Sequence, residues 1–168
     1  MALEIGTDVP WNAAWSGEES YEVRPCRHVS GRLALWSPHR PGAGRPIFAR
    51  PHMVRQRRSI AEMRCTVCGE VTIESARWWF PRGDWIGEYW MSTEGPVHSG
   101  CAELALHTCP TLRKTAKPPI RFPSGARAIL ALVGGAATER DFGIKVLGRR
   151  IVGHLKLGWR EPEFLTAD

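Results

Sequence analysis

Two cysteine-containing pairs constrain this chain more than any other feature. Cys65-Thr-Val-Cys68 is followed at once by Gly69, and after a gap of 29 residues His98-Ser-Gly-Cys101 repeats the two-residue separation. Thiolate and imidazole suit a borderline-soft ion such as zinc, and two such pairs supply the four donors of a tetrahedral shell. A tight turn with glycine after the second thiol lets both sulfurs converge on one ion while backbone amides point toward sulfur. The second pair opens the run Cys101-Ala-Glu-Leu-Ala-Leu-His-Thr-Cys109, in which Cys101, Leu104, Ala105 and Thr108 or Cys109 share one helical face. The positive end of that helix favours a thiolate. The spacing predicts a zinc site of Cys65, Cys68, His98 and Cys101. Cys109, two helical turns beyond Cys101, competes with His98 for the fourth place, and the spacing leaves that choice open.

Between the pairs, Val71 to Phe80 is β-branched and aromatic, Pro81-Arg-Gly-Asp84 reads as a turn, and Trp85 to Ser92 resumes the aromatic pattern. A hairpin is expected there. Turn, hairpin and helix start describe a treble-clef-like motif. Upstream, Tyr21-Glu-Val-Arg and Arg32-Leu-Ala-Leu-Trp36 flank Ser30-Gly31 and predict two short strands. Residues 1–20 read as an irregular lead-in, and the Pro- and Gly-rich stretch from Ser37 to Pro51 as a loop. His52 to Arg64 predicts a short helix feeding the first cysteine pair. After a basic, Pro-containing linker from Thr111 to Pro123, Ser124 to Val133 reads as a short helix capped by Ser124 and stopped at Gly134-Gly135, with a buried strand as the alternative. Phe142 to Trp159 alternates around Gly148-Arg149 and predicts a second hairpin.

The expected fold class is therefore α+β, a small zinc-stabilised motif embedded in a mainly β domain with short helices. The expected divisions are an N-terminal extension over 1–51, the zinc motif over 52–117, and a C-terminal helix and hairpin over 118–168. At 168 residues the chain can bury a sizeable core without disulfides, so metal would stabilise part of the fold and not replace a core. Five cysteines, two of them in Cys-x-x-Cys spacing, fit one metal ion better than a set of bridges, and the thiols read as reduced. The N-terminal residues lack a basic stretch followed by an apolar run, and no window reaches the roughly 18 apolar residues of a membrane span. A soluble, cytoplasmic protein is expected.

MRCTVCG, then PVHSGCAELALHTCPTLRK, with the upstream RPGAGRPIFARPHMVRQRRSIAEM, resembles a family of small, functionally unassigned proteins from actinobacteria and their phages. That family carries CxVCG and a later PPVCxxCA…CP segment, and the likeness covers roughly residues 36–114. His98 stands where the family pattern has cysteine. The resemblance implies zinc binding and a phage or phage-like origin, with the host cytoplasm as location. It supplies no activity.

Two surfaces suggest partners. Arg55, Arg57, Arg58 and Arg64 lie just before the zinc turn, and Arg113 and Lys114 just after the zinc helix; with a net charge of +6 they could form one phosphate-contacting face on nucleic acid or a nucleoprotein. Trp78, Trp79, Trp85 and Trp90 could form a protein-binding surface against a host or virion protein, although such tryptophans more often pack a core. A non-enzyme is expected, with a His-Asn-His nuclease as the minor alternative. A His-Asn-His nuclease needs a general-base His at the end of the hairpin's first strand, where this chain has Trp78-Trp-Phe-Pro, and its helix offers His107 but no Asn.

Overall fold

The computed structural model describes residues 1–114 and 117–166. In chain order the elements are β1 (Ala13–Trp15), β2 (Glu22–Cys26), β3 (Arg32–Trp36), β4 (Pro46–Pro51), α1 (Met53–Ala61), β5 (Trp78–Trp79), β6 (Asp84–Ile86) and β7 (Tyr89–Ser92). They continue with α2 (Ser99–Thr108), α3 (Pro110–Lys114), β8 (Ile120–Arg121), β9 (Arg127–Val133), α4 (Gly135–Phe142) and β10 (Ile151–Trp159). The chain is mixed α+β, mostly sheet with short helices.

β10 is the organising strand. Its nine residues are apolar or glycine except His154 and Lys156, the pattern of a strand covered on both faces. β9 runs antiparallel along one edge of it, from Ile151↔Val133 to Gly158↔Arg127. The other edge is shared. β3 pairs parallel at Val152↔Ala34, and β7 pairs antiparallel from Leu157↔Ser92 to Trp159↔Trp90. β2 extends the sheet beyond β3, and β6 extends it beyond β7. This six-stranded sheet takes strands from all three of the expected divisions.

Between the β3 and β7 contacts, among the described residues, β10 has no neighbouring strand on that edge, and α1 fills the gap with polar side chains. Gln56 Nε2 donates to the Leu155 carbonyl at 2.6 Å and to the Thr93 carbonyl at 3.0 Å, while its Oε1 accepts from Leu155 N–H at 3.0 Å. Arg57 donates to the Gly153 carbonyl at 2.7 Å and to the Leu35 carbonyl at 2.5 Å. A buried peptide group costs free energy unless it is paired, and here two side chains do the work of a strand. Arg55, equally buried, holds Glu18 through two 2.8 Å bonds and the Ala13 carbonyl at 2.7 Å. His52 caps the helix by accepting from Arg55 N–H. At the other end Met63 takes a left-handed conformation (φ 50°) and Arg64 N–H bonds the Ser59 carbonyl, which turns the chain directly into Cys65.

Several expectations are corrected. The hairpin joins β6 and β7 across Gly87-Glu88, not the segments before and after Pro81; β5 pairs instead with β8 and bridges Val97. In this arrangement β5 carries Trp79 into the aromatic core. Ser124 to Val133 holds a strand, because full-length pairing with β10 outweighs the helix propensity of its Ala and Leu residues. Gly134-Gly135 begins α4 and does not stop a helix. The tail contributes one strand, with Ile144 and Val146 buried in the loop before it. The stretch from Ser37 to Pro51 ends in β4, whose prolines at both ends are tolerated on a two-stranded edge with β1; Phe48 on it is exposed. The predicted β2–β3 pair, α1 and the helix that carries Cys101 form as expected. Of the expected linker, Thr115 and Ala116 lie outside the described residues.

Trp79, Trp90, Trp159, Phe122 and Phe164 form an aromatic cluster with ring centroids 5.0–6.4 Å apart. A second apolar group, Cys65, Val67, Phe80, Val97 and Ala102, surrounds the cysteine pairs. Adjacent residues of β5 serve both: Trp78 packs on the second group and Trp79 in the first.

Candidate metal centre

The first pair sits on a narrow turn closed by an Arg64↔Val71 bridge. Gly69 N–H bonds the Cys65 carbonyl and Cys65 N–H the Glu70 carbonyl, both at 2.8 Å, and the Glu70 amide points at the Cys68 sulfur. Gly69 has φ +83° and lies on the Trp11 ring, so a side chain there is excluded by both backbone and space. The N-terminal segment fixes the turn from outside: Trp11 N–H bonds the Val67 carbonyl and Asn12 N–H the Thr66 carbonyl. The second pair lies at the start of α2, with His98 as its N-cap residue and Cys101 in the first turn.

The four predicted donor atoms, from Cys65, Cys68, His98 and Cys101, lie within 4.8 Å of one another. Zinc–sulfur and zinc–nitrogen bonds of about 2.3 and 2.0 Å at tetrahedral angles place sulfur and nitrogen about 3.5 Å apart. His98 Nδ1 lies 3.4 Å from Cys68 Sγ and 4.0 Å from Cys101 Sγ, on either side of that separation. The histidine is also oriented for the task. Its Nε2 faces the Val71 carbonyl at 3.4 Å, which places the proton on Nε2 and leaves the Nδ1 lone pair toward the sulfurs. Burial, reinforced by the neighbouring Cys65 and Cys68 sulfurs, pushes the Cys101 thiol up to about 12, and burial also raises Cys68. A bound cation would favour the thiolate form of these two groups. The residues present fit zinc.

Cys109 lies outside this group. It caps the far end of α2, about 12 Å along the axis from Cys101 at 1.5 Å per residue. All five cysteines are unpaired, and Cys26 is buried beside the Arg57 guanidinium.

The expected basic face is not assembled as the sequence suggests. Arg55 and Arg57 are fully buried and bonded internally, so neither reaches a phosphate. The reason lies in helical spacing: Arg57 falls on the stripe set by Met53 and Ile60, and the stripe faces the sheet. Arg58 and Arg64 are partly exposed and share Glu62, whose carboxyl they hold down to about 2 against the opposing effect of burial, the largest single influence. Arg113 and Lys114 are exposed on α3. The aromatic surface also shrinks. Trp79 and Trp90 are buried in the core and Trp78 is half-buried, which leaves Trp85, 57% exposed at the tip of the β6–β7 hairpin beside exposed Ile86.

Three functional contributors escaped the sequence reading. Gln56 and Glu18 had no visible partner in one dimension, and the Val71 carbonyl that orients His98 carries no sequence signal. Beside the Cys₃His cluster, α2 and the Cys65–Cys68 turn wall a groove of about 400 Å³, where Glu94 lies 3.9 Å from Arg82 and burial raises its carboxyl.

Comparison with protein-family models, with curated proteins and with solved structures returns no match. Among the described residues no helix is long and apolar enough to cross a membrane. The class defined by the site is a protein with a Cys₃His cluster able to hold a metal ion.

Proposed function

We propose that this chain is a non-enzymatic binding module of phage type, in which a structural zinc in a treble-clef-like turn-and-helix frame rigidifies the surface that meets a partner. The convergence of three sulfurs and one correctly oriented imidazole nitrogen carries the reading. Four protein donors complete a tetrahedral shell, which is the signature of a structural site; a catalytic one keeps a position for water. Bound there, zinc would tie the turn after α1 to the start of α2 and so fix α3, which follows it.

Exposed Arg113 and Lys114 on α3 favour a polyanionic partner, nucleic acid or nucleoprotein, contacted through phosphates. The test is binding of the zinc-loaded protein to duplex and single-stranded oligonucleotides over a salt series. Affinity that falls steeply with salt, and falls further in Arg113→Glu/Lys114→Glu, supports this reading; binding that is absent or insensitive to salt ends it. A second reading is favoured by Trp85 and Ile86, which stand exposed together on a hairpin tip and suit a protein interface. Trp85→Ala would then abolish capture of a host or virion protein that persists after nuclease treatment.

A further inference from the structure

The six-stranded sheet ends in three outer strands, and they are protected unequally. β2 carries Pro25 and the charged pair Glu22 and Arg24. β6 is three residues long and begins with Asp84. Short length, charge and proline are the ordinary defences of a sheet edge against pairing with another chain. β9 has none of them over most of its length: seven residues, Arg-Ala-Ile-Leu-Ala-Leu-Val, with Arg127 at the very end as its one charge.

Which backbone groups β9 presents outward follows from its partner. Both the N–H and the C=O of Leu155 are taken by Gln56, so they face away from β9. Leu155 stands opposite Leu130. In an antiparallel ladder the two members of such a pair both face away from each other, so Leu130 N–H and C=O point out of the sheet, and by alternation so do those of Ala128; the register shift between Val152 and His154 places its extra residue, Gly153, on β10, so β9 itself keeps its alternation to Leu132. Among the described residues β9 pairs only with β10, and no hydrogen bond engages these outward groups. Ala128 is exposed, and Leu132 is 40% exposed.

We propose that this edge pairs antiparallel with β9 of a second copy about a two-fold axis at Leu130. The edge is self-complementary in that register: the Leu130 residues of the two copies exchange both hydrogen bonds, and Ala128 of each copy faces Leu132 of the other. Charge placement agrees. Arg127 stands opposite Val133 of the second copy and six residues from the other Arg127, so the strand's one charge never meets its like. The result is a continuous sheet through two copies, which removes the one long unprotected edge.

The test is the solution mass of the full, zinc-loaded chain by sedimentation equilibrium across the micromolar range, with twice 18.8 kDa expected. Ala128→Pro places its ring where the outward N–H was and leaves the β9–β10 ladder intact, so a folded monomer is expected. A charge pair checks the register independently of that variant's folding. Ala128→Lys/Leu132→Lys should weaken the dimer by roughly tenfold or more, whereas Ala128→Lys/Leu132→Glu, which sets each introduced cation opposite an introduced anion of the other copy, should restore it. A wild-type chain that stays monomeric, including one that binds some other protein on this edge as a monomer, overturns the proposal. So does a dimer that survives Ala128→Pro in folded protein, or a Lys/Glu variant no tighter than the Lys/Lys one.

Discussion

With its Nε2 held on the Val71 carbonyl, His98 has one nitrogen to offer, and that nitrogen faces two sulfurs. Removing the ring should therefore cost more than removing the Cys109 thiol, its competitor on sequence grounds. His98→Ala is expected to lower zinc affinity by at least the roughly tenfold that loss of a mere outer-shell partner brings, while Cys109→Ser keeps full stoichiometry in a chelator competition. Equal losses from both would place Cys109 in the shell. A second residue, His52, links the fold to pH. Burial, with help from the Arg55 charge, lowers its imidazole to about 4, although the Pro38 carbonyl and Glu18 pull the other way. The unfolded chain takes up this proton near 6.5 and the folded chain near 4, so the contribution is complete above about pH 6.5 and is lost as pH falls toward 4. The loss is about 3 kcal/mol. Urea unfolding of wild type and His52→Asn at pH 7 and pH 4 isolates it, since proton competition for any metal-bound thiolates is common to both. The gap between the two proteins should narrow by about that amount, and a constant gap would assign the acid sensitivity elsewhere.

At the scale of elements, α1 is the unusual one: a nine-residue helix that buries Arg55, Gln56, Arg57 and Ser59 along with Met53 and Ile60. Gln56 satisfies three peptide groups that no strand reaches. Gln56→Ala should cost about 3 kcal/mol or more, since each orphaned buried group costs roughly 1–3 kcal/mol. Gln56→Glu is the sharper measurement. It keeps shape and the acceptor for Leu155 N–H but brings a carboxylate against the Leu155 and Thr93 carbonyls, so chemical unfolding should show it at least as destabilised as the alanine variant. A near-neutral result would mean that water replaces the amide. This helix also shows what was legible in the sequence and what was not. Its presence and its delivery of the chain into Cys65 could be read, because helix formers run up to the cysteine pair. Its orientation could have been read as well: at 3.6 residues per turn Met53, Gln56, Arg57 and Ile60 share a stripe, and a stripe anchored by two apolar residues faces inward. Counting arginines as charge concealed this. β5 and β9 were less accessible, since a two-residue strand and a short apolar run carry no period that separates their pairing partners.

For the whole molecule, the cysteine pairs were the most legible part because four ligands at fixed spacing encode a three-dimensional contact directly, whereas the order of strands about β10 depends on pairings between residues more than a hundred positions apart, such as Val152 with Ala34. The two levels meet at β5. Trp78 packs on the group around the metal ligands, and Trp79, its neighbour, is fully buried among Trp90, Trp159 and Phe164 with its indole N–H on the Glu94 carbonyl at 2.9 Å. The Cys65–Cys68 turn is further bound to the lead-in by Trp11 and Asn12, and through Thr66 N–H to the Pro96 carbonyl. A perturbation at a bound metal would therefore reach the aromatic core through one backbone step. Metal removal should accordingly lower the stability of the molecule as one unit. If the site contributes about 5 kcal/mol of the larger binding free energy such sites show, a chain of this size should melt about 10–20 °C lower after chelation. Calorimetry would record a single transition shifted downward, and near-ultraviolet circular dichroism of the tryptophan cluster would follow the same midpoint. Two resolved transitions, with the tryptophan signal keeping its zinc-loaded midpoint, would instead show that the metal group and the aromatic core fold independently and that β5 does not couple them.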